Sequence, residues 1–216
     1  MMISLVMLAL LAGGALAWYL ETKKSDRARV VSLVSLLVIA VVFIVNLVNS
    51  SQEYSTLTQL VKVPWISTFN IHYSLALDHL SIMLMILTFF LALIAILISW
   101  REITHRKGFY YFNLMATITG IIGVFTAVDM FLFFFFWEVM LIPMTALIAI
   151  WGHENRHFAA IKFFIFTQVS SLLMLIAIIL MAVIHQQQTG VMSFDYQEWL
   201  TPVSYTHLTL PTNREV

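Results

Sequence analysis

One carboxylate, Glu138, stands alone in the run "DMFLFFFFWEVMLIPM", Asp129 to Met144, with no other charged residue between Asp129 and Glu154. A helix starting near Phe131 carries this acid about 10 Å along its axis at roughly 1.5 Å per residue. The short carboxyl stem does not reach an interface from there. Placing an acid at the centre of a membrane helix costs about 2.5–3.5 kcal/mol on insertion scales. Low dielectric disfavours an ionised carboxylate, so a carboxyl held there beside protein-lined water can both take and release H⁺. Intramembrane acids mark ion paths by default, and proton handling is the expected chemistry. The competing reading is a protonated structural carboxyl bonded to another helix.

Three further features accompany it. Pro143 has no N–H, so the carbonyl of Val139, one residue after the acid, loses its helical partner; a local opening that admits water is the functional reading and a simple kink the alternative. Lys162, in "FAAIKFFIFTQVSS", lies near a helix end and reads first as a snorkelling lysine, second as a cation at the mouth of the relay. Thr167, Gln168, Ser170 and Ser171 follow it as a polar patch. Such groups join membrane helices or hold water, and they are the candidate supporting path. Phe131, Phe133, Phe134, Phe135 and Phe136 surround the acid's helix without forming a stripe and carry no chemistry. His72, His79, His105, His153, His157 and His185 lie outside the apolar runs or near their ends. His153 and His157 are spaced i, i+4 but have no third ligand in view. No catalytic residue, cofactor site or metal site is assigned.

The elements that position these groups are membrane helices. The 216 residues are 61% hydrophobic and 10% charged, where soluble domains run at about 45–50% and 25%. Apolar runs at about 2–20, 30–48, 80–99, 110–128, 131–150 and 159–184 each span a hydrocarbon core of about 30 Å. They lack period-2 alternation, which selects helices over a barrel. The fold class is therefore all-α, a polytopic bundle of six transmembrane helices without a visible internal repeat. "GGALAW" contains a passable signal-cleavage box, but no positive charge precedes the apolar core, so helix 1 is expected to stay.

Lys and Arg in short loops mark the cytoplasmic side. The loops after helices 1, 3 and 5 hold eight of them, Lys23, Lys24, Arg27, Arg29, Arg101, Arg106, Lys107 and Arg156; the loops after helices 2 and 4 hold only Lys62. The N-terminus is placed outside, and helix 5 runs inward. The outer loop at 49–79 is expected to hold a short extended or hairpin element around Phe69 to Leu77. The absence of Cys excludes a disulfide frame and thiolate-bound clusters. Zero net charge and no basic surface leave nucleic acid without a footprint.

"DMFLFFFFWEVMLIPM", followed by "ALIAIWGHENRHFAAIKFFIFTQVSSLLMLIAI", resembles the subunit M family of bacterial NADH–quinone oxidoreductase, respiratory complex I, which is antiporter-like and proton-translocating. The stretch "VPWISTFNIHYSLALDHLS" is similar to the family's "MPWIP…IHLAIDGLS". The resemblance covers Met1 to Leu200, weakly in the first two helices. It implies that the glutamate matching Glu138 is essential for pumping and pairs with a lysine on a broken seventh helix. It also implies a fold of about fourteen helices, with inverted repeats over helices 4–8 and 9–13. Residues 1–109 then form helices 1–3, and residues 110–201 form helices 4–6 and begin the translocating domain. The chain is expected to be a truncated N-terminal fragment. Its tail "PVSYTHLTLPTNREV", within 202–216, is read as non-native. NADH, FMN, iron–sulfur clusters and quinone are expected in partner subunits, with other membrane subunits of complex I, especially neighbouring antiporter-like ones, and the lipid bilayer as contacts. The site is the bacterial inner membrane. Alternatives are a subunit of a multisubunit Na⁺/H⁺ antiporter or membrane-bound hydrogenase, or a non-transporting scaffold. One departure stands out: the family's Asp-Gly is Asp78-His79 here, and His takes a left-handed backbone less cheaply than Gly, so the turn before helix 3 is expected to differ.

Overall fold

A computed structural model of the chain describes residues 2–22, 27–49 and 57–200. The tail 202–216, Lys23 and Lys24 lie outside the described residues. Among the described residues, six helices are long and apolar enough to cross a bilayer. They are α1 (Met2–Thr22), α2 (Ala28–Asn49), α3 (His79–Glu102), α4 (Lys107–Thr126), α5 (Met130–Trp151) and α6 (Arg156–Thr189), and a short α7 (Tyr196–Leu200) follows. All six expected segments are helical. The largest shift is in α6, which gains residues at both ends to reach 34. Asn155 (φ 62) and Gly190 (φ 80) set its limits, and Gly190 donates its N–H to the Gln186 carbonyl at 2.8 Å, a left-handed helix stop.

Between α2 and α3 the chain forms an antiparallel hairpin, β1 (Thr58–Ile66) and β2 (Ile71–Leu77), joined by a 3-10 turn at Ser67–Phe69. It is larger than the element expected at 69–77. Pro64 lies on β1, which among the described residues is an edge strand, the position in a sheet that tolerates a missing N–H. The other edge continues: Leu75 bridges Ala127, and Asp129 bridges Asp195. Residues 127–129 therefore lie between β2 and the segment after α6, making a small cap over one end of the bundle.

The turn before α3 does not suffer from its histidine. Asp78 is the cap, accepting the Ser81 N–H at 2.8 Å, and His79 is already the first helical residue. Its φ is not positive, so no left-handed residue is required there.

α4 is the central helix. Met115, Ile122 and Tyr111 are fully buried, with Ile3 and Leu10 of α1, Met85 and Ile96 of α3, and Leu132 of α5 in the same core. The Tyr111 hydroxyl meets Ser99 of α3 at 3.3 Å. Close approach of α1 and α4 depends on glycine. A Cβ on Gly108 would lie 2.6 Å from the Ala17 carbonyl oxygen, and one on Gly14 would lie 3.2 Å from the Phe112 backbone. Small residues at such crossings let membrane helices gain dispersion contact. Glu21, at the end of α1, accepts the Gly108 N–H at 2.9 Å and the Phe109 N–H at 3.3 Å, serving as the α4 cap.

Candidate functional site

α5 is positioned from both flanks. Phe136 fills the space where Gly123 lacks a side chain, and Met140 packs onto Gly120, so this row faces α4. Glu138 sits two residues from each. At about 100° per residue that turns it some 200° away from both. Phe134, one turn before Glu138, packs with Met130 and Phe131 against Ile178 and Ala182 of α6 and against Phe194. The acid therefore projects from the side of α5 opposite α4, along the row that meets α6. Its side chain is half-buried; the Oε1 atom is inaccessible and, among the described residues, accepts no hydrogen bond.

The facing side of α6 is a seam of Ala160, Ser171, Ile178 and Ala182, all buried, with Thr167 and Gln168 half-buried beside it. Ser170 is exposed. The serine hydroxyls donate within their own helix, Ser171 to the Gln168 carbonyl at 3.0 Å and Ser170 to the Phe166 carbonyl at 2.9 Å. Their oxygens still have a lone pair to offer.

Lys162 is not brought to the acid. It is exposed, and its ammonium stands 5.9 Å from the Phe166 ring centre. Two residues from Ala160, it points to nearly the opposite side of α6. By helical rise it also lies about 10 Å further toward the α5–α6 connection than Glu138. Pro143 is buried inside α5, and the helix runs through it without interruption. The phenylalanines divide as packing groups: Phe136 is buried, while Phe135 is exposed with its ring 5.2 Å from that of Trp65 on β1. Among the described residues no three His, Asp or Glu side chains gather as a metal site.

Sequence reasoning assigned no role to Asp129. It is 1% exposed and caps α5, its Oδ1 accepting the Phe131 N–H at 2.9 Å and the Leu132 N–H at 3.1 Å. Its Oδ2 accepts the His72 N–H of β2 at 2.9 Å. Burial pushes this carboxyl above the usual carboxylate range, against the downward pull of the three N–H donors. An acid immediately before an apolar helical run is a legible cap signal; its bond to the hairpin is not. The Lys62–Asp195 ion pair at 3.0 Å also escaped notice, since its partners are 133 residues apart.

Residues 127–205 match the family described as NADH:quinone oxidoreductase/Mrp antiporter, TM. The chain is 52% identical over 148 residues to NADH-quinone oxidoreductase subunit M of Escherichia coli (strain K12), a match covering 66% of this chain and 29% of that relative. It thus spans under a third of the relative's length. Among solved structures, respiratory complex I from Thermus thermophilus with bound NADH superposes with a TM-score of 0.72 at 18% identity, over 92% of this chain and 38% of that one. The Mrp complex from a Dietzia species gives a TM-score of 0.70 at 17% identity, over 89% of this chain and 20% of that one. At these identities the two structures speak for the fold alone.

Proposed function

We propose, on the premise that this chain belongs to the NADH:quinone oxidoreductase/Mrp antiporter membrane family, that it is part of an antiporter-like subunit of a respiratory NADH–quinone oxidoreductase and that Glu138 relays protons through it. The observation that carries the reading is the Glu138 Oε1 atom, buried and without a hydrogen-bond donor among the described residues. A carboxyl whose partner is not fixed can change protonation as a cation or water approaches and withdraws. Thr167, Gln168 and Ser171 line the seam from which water would reach it. Lys162 has at most an outlying part, given its placement. Residues 1–109 serve as the supporting helices, and residues 110–201 begin the translocating unit. Electron carriers, namely NADH, FMN, iron–sulfur clusters and quinone, belong to partner subunits. The adjoining membrane subunits of the complex are the contacts.

A second reading, a subunit of an Mrp-type antiporter, is favoured by the matched family's description, which names both NADH:quinone oxidoreductase and Mrp antiporter. The same acid would serve it. Glu138→Gln in the full-length subunit tests the relay. Assembly and quinone reduction chemistry should be retained while proton transfer is impaired. Undiminished pumping would overturn the relay and favour a scaffold.

A further inference from the structure

We propose that Asp129 is a positioning residue which fixes the rotation of α5 and thereby the direction in which Glu138 points. This inference rests on the relay reading of Glu138. Asp129 itself touches no relay group and carries no proton in it.

The geometry is that of a two-sided clamp. Oδ1 takes two N–H groups from the first turn of α5, Phe131 and Leu132, and Oδ2 takes the His72 N–H from the hairpin. Backbone bonds continue the clamp on both sides: Val128 N–H to the Ser74 carbonyl at 3.0 Å, Met130 N–H to Phe194 at 2.8 Å, and Tyr196 N–H to Val128 at 3.1 Å. The facing charged groups are engaged elsewhere. Asp195, opposite Asp129 in the bridge, is held by Lys62 of β1, with Glu198 4.0 Å from the same ammonium. The His72 ring nitrogen Nδ1 meets the Asn70 carbonyl at 3.1 Å. The Asp129 carboxyl is therefore satisfied by backbone N–H groups of two elements and nothing else among the described residues.

The lever is short enough to matter. Glu138 lies nine residues on, about 13 Å along the axis, with its carboxyl some 5–6 Å off it. A rotation of α5 by about 30° would sweep that carboxyl by roughly 3 Å, a hydrogen-bond length, and an error of 1 Å already costs proton-transfer geometry dearly. Further along, Phe136 against Gly123 and Met140 against Gly120 hold α5 to α4, and the three-donor clamp fixes the helix start from which that register runs.

The test uses the assembled complex. The Glu138 carboxyl band in infrared difference spectra is identified by its loss in Glu138→Gln. Asp129→Ser should keep the α5 cap but cannot also hold His72. His72→Pro should keep the cap and remove the latch donor, together with the ring contact to Asn70. Both variants should assemble, shift or broaden the Glu138 band, and slow proton transfer several-fold with quinone reduction chemistry retained. An unchanged band in either assembled variant would overturn the positioning role. If Asp129→Ser fails to assemble, His72→Pro decides alone; if His72→Pro fails, Asp129→Ser does. Failure of both, with the band unchanged in wild type on partial unfolding of the hairpin by mild denaturant, would equally refute it. The relay reading is judged separately, by pumping in Glu138→Gln.

Discussion

The Phe136 ring occupies the space that a side chain on Gly123 would need, locking α5 onto α4 at a point half a turn from the buried acid. Gly123→Ala must push the ring or the helix aside. Overpacking of this kind costs about 1–3 kcal/mol. The variant complex should show a lowered midpoint of thermal inactivation, and Phe136→Leu in the same chain should recover part of it. An unchanged midpoint would mean that the two helices part freely.

The Lys62–Asp195 pair should respond asymmetrically. The Asp195 side chain is 8% exposed and that of Lys62 36%. Removing the lysine strands a buried carboxylate, a loss of about 1–3 kcal/mol, whereas Asp195→Asn leaves a lysine that water can solvate. Lys62→Met should therefore make the hairpin more sensitive to limited proteolysis than Asp195→Asn. Equal sensitivity would contradict the burial difference.

Asp78 gives the start of α3 a pH dependence. The Ser81 hydroxyl, foremost, and the Ser81 N–H hold its carboxyl below the usual range. Its folded value being the lower one, its contribution is present above the ordinary carboxylate value and fades as the pH falls through the depressed one. Hydrogen exchange over residues 78–82, corrected for intrinsic rates, should show protection lost only under strongly acidic conditions. Ser81→Ala should move that loss to higher pH.

Lys162 and the α6 seam should separate in function. Lys162→Gln alters an exposed side chain away from the acid, and proton transfer should stay close to the parent rate. Thr167→Val combined with Ser171→Ala changes the surface facing Glu138 and should slow transfer more, with little loss of stability because the Ser171 hydroxyl bonds only its own helix. The reverse order of effects, measured as proton uptake in vesicles, would favour Lys162 as the mouth of the path.

How much of this was legible beforehand depends on range. Spans, their number and the isolation of Glu138 follow from runs of adjacent apolar residues, and hydrocarbon enforces that code strictly. Which face Glu138 takes was not legible, because it depends on distant partners, Gly120 and Gly123 of α4 along the helix and the hairpin bond of Asp129 at its start. Lys162 takes an exposed place, and the polar patch divides into a buried Ser171 and an exposed Ser170 that composition treats alike. His79 misled because a family glycine suggested a left-handed turn, while Asp78 made a helix cap that accepts histidine. The cap of residues 127–129 between β2 and 194–196 joins segments more than fifty residues apart, and no local pattern announces it.

The glycine-mediated crossing of α1 with α4 has a bearing on biogenesis. During synthesis α1 enters the bilayer long before α4 exists, so the Gly14 and Ala17 surface first rests against lipid. Only the neighbouring Gly13 already has its final partner, Ser35 of α2. The ribosome must deliver two more spans and a hairpin before Gly108 can close that gap. Bulky substitutions at Gly14 or Gly108 would therefore leave early insertion intact and betray themselves late, as a nascent chain that is threaded but never consolidated.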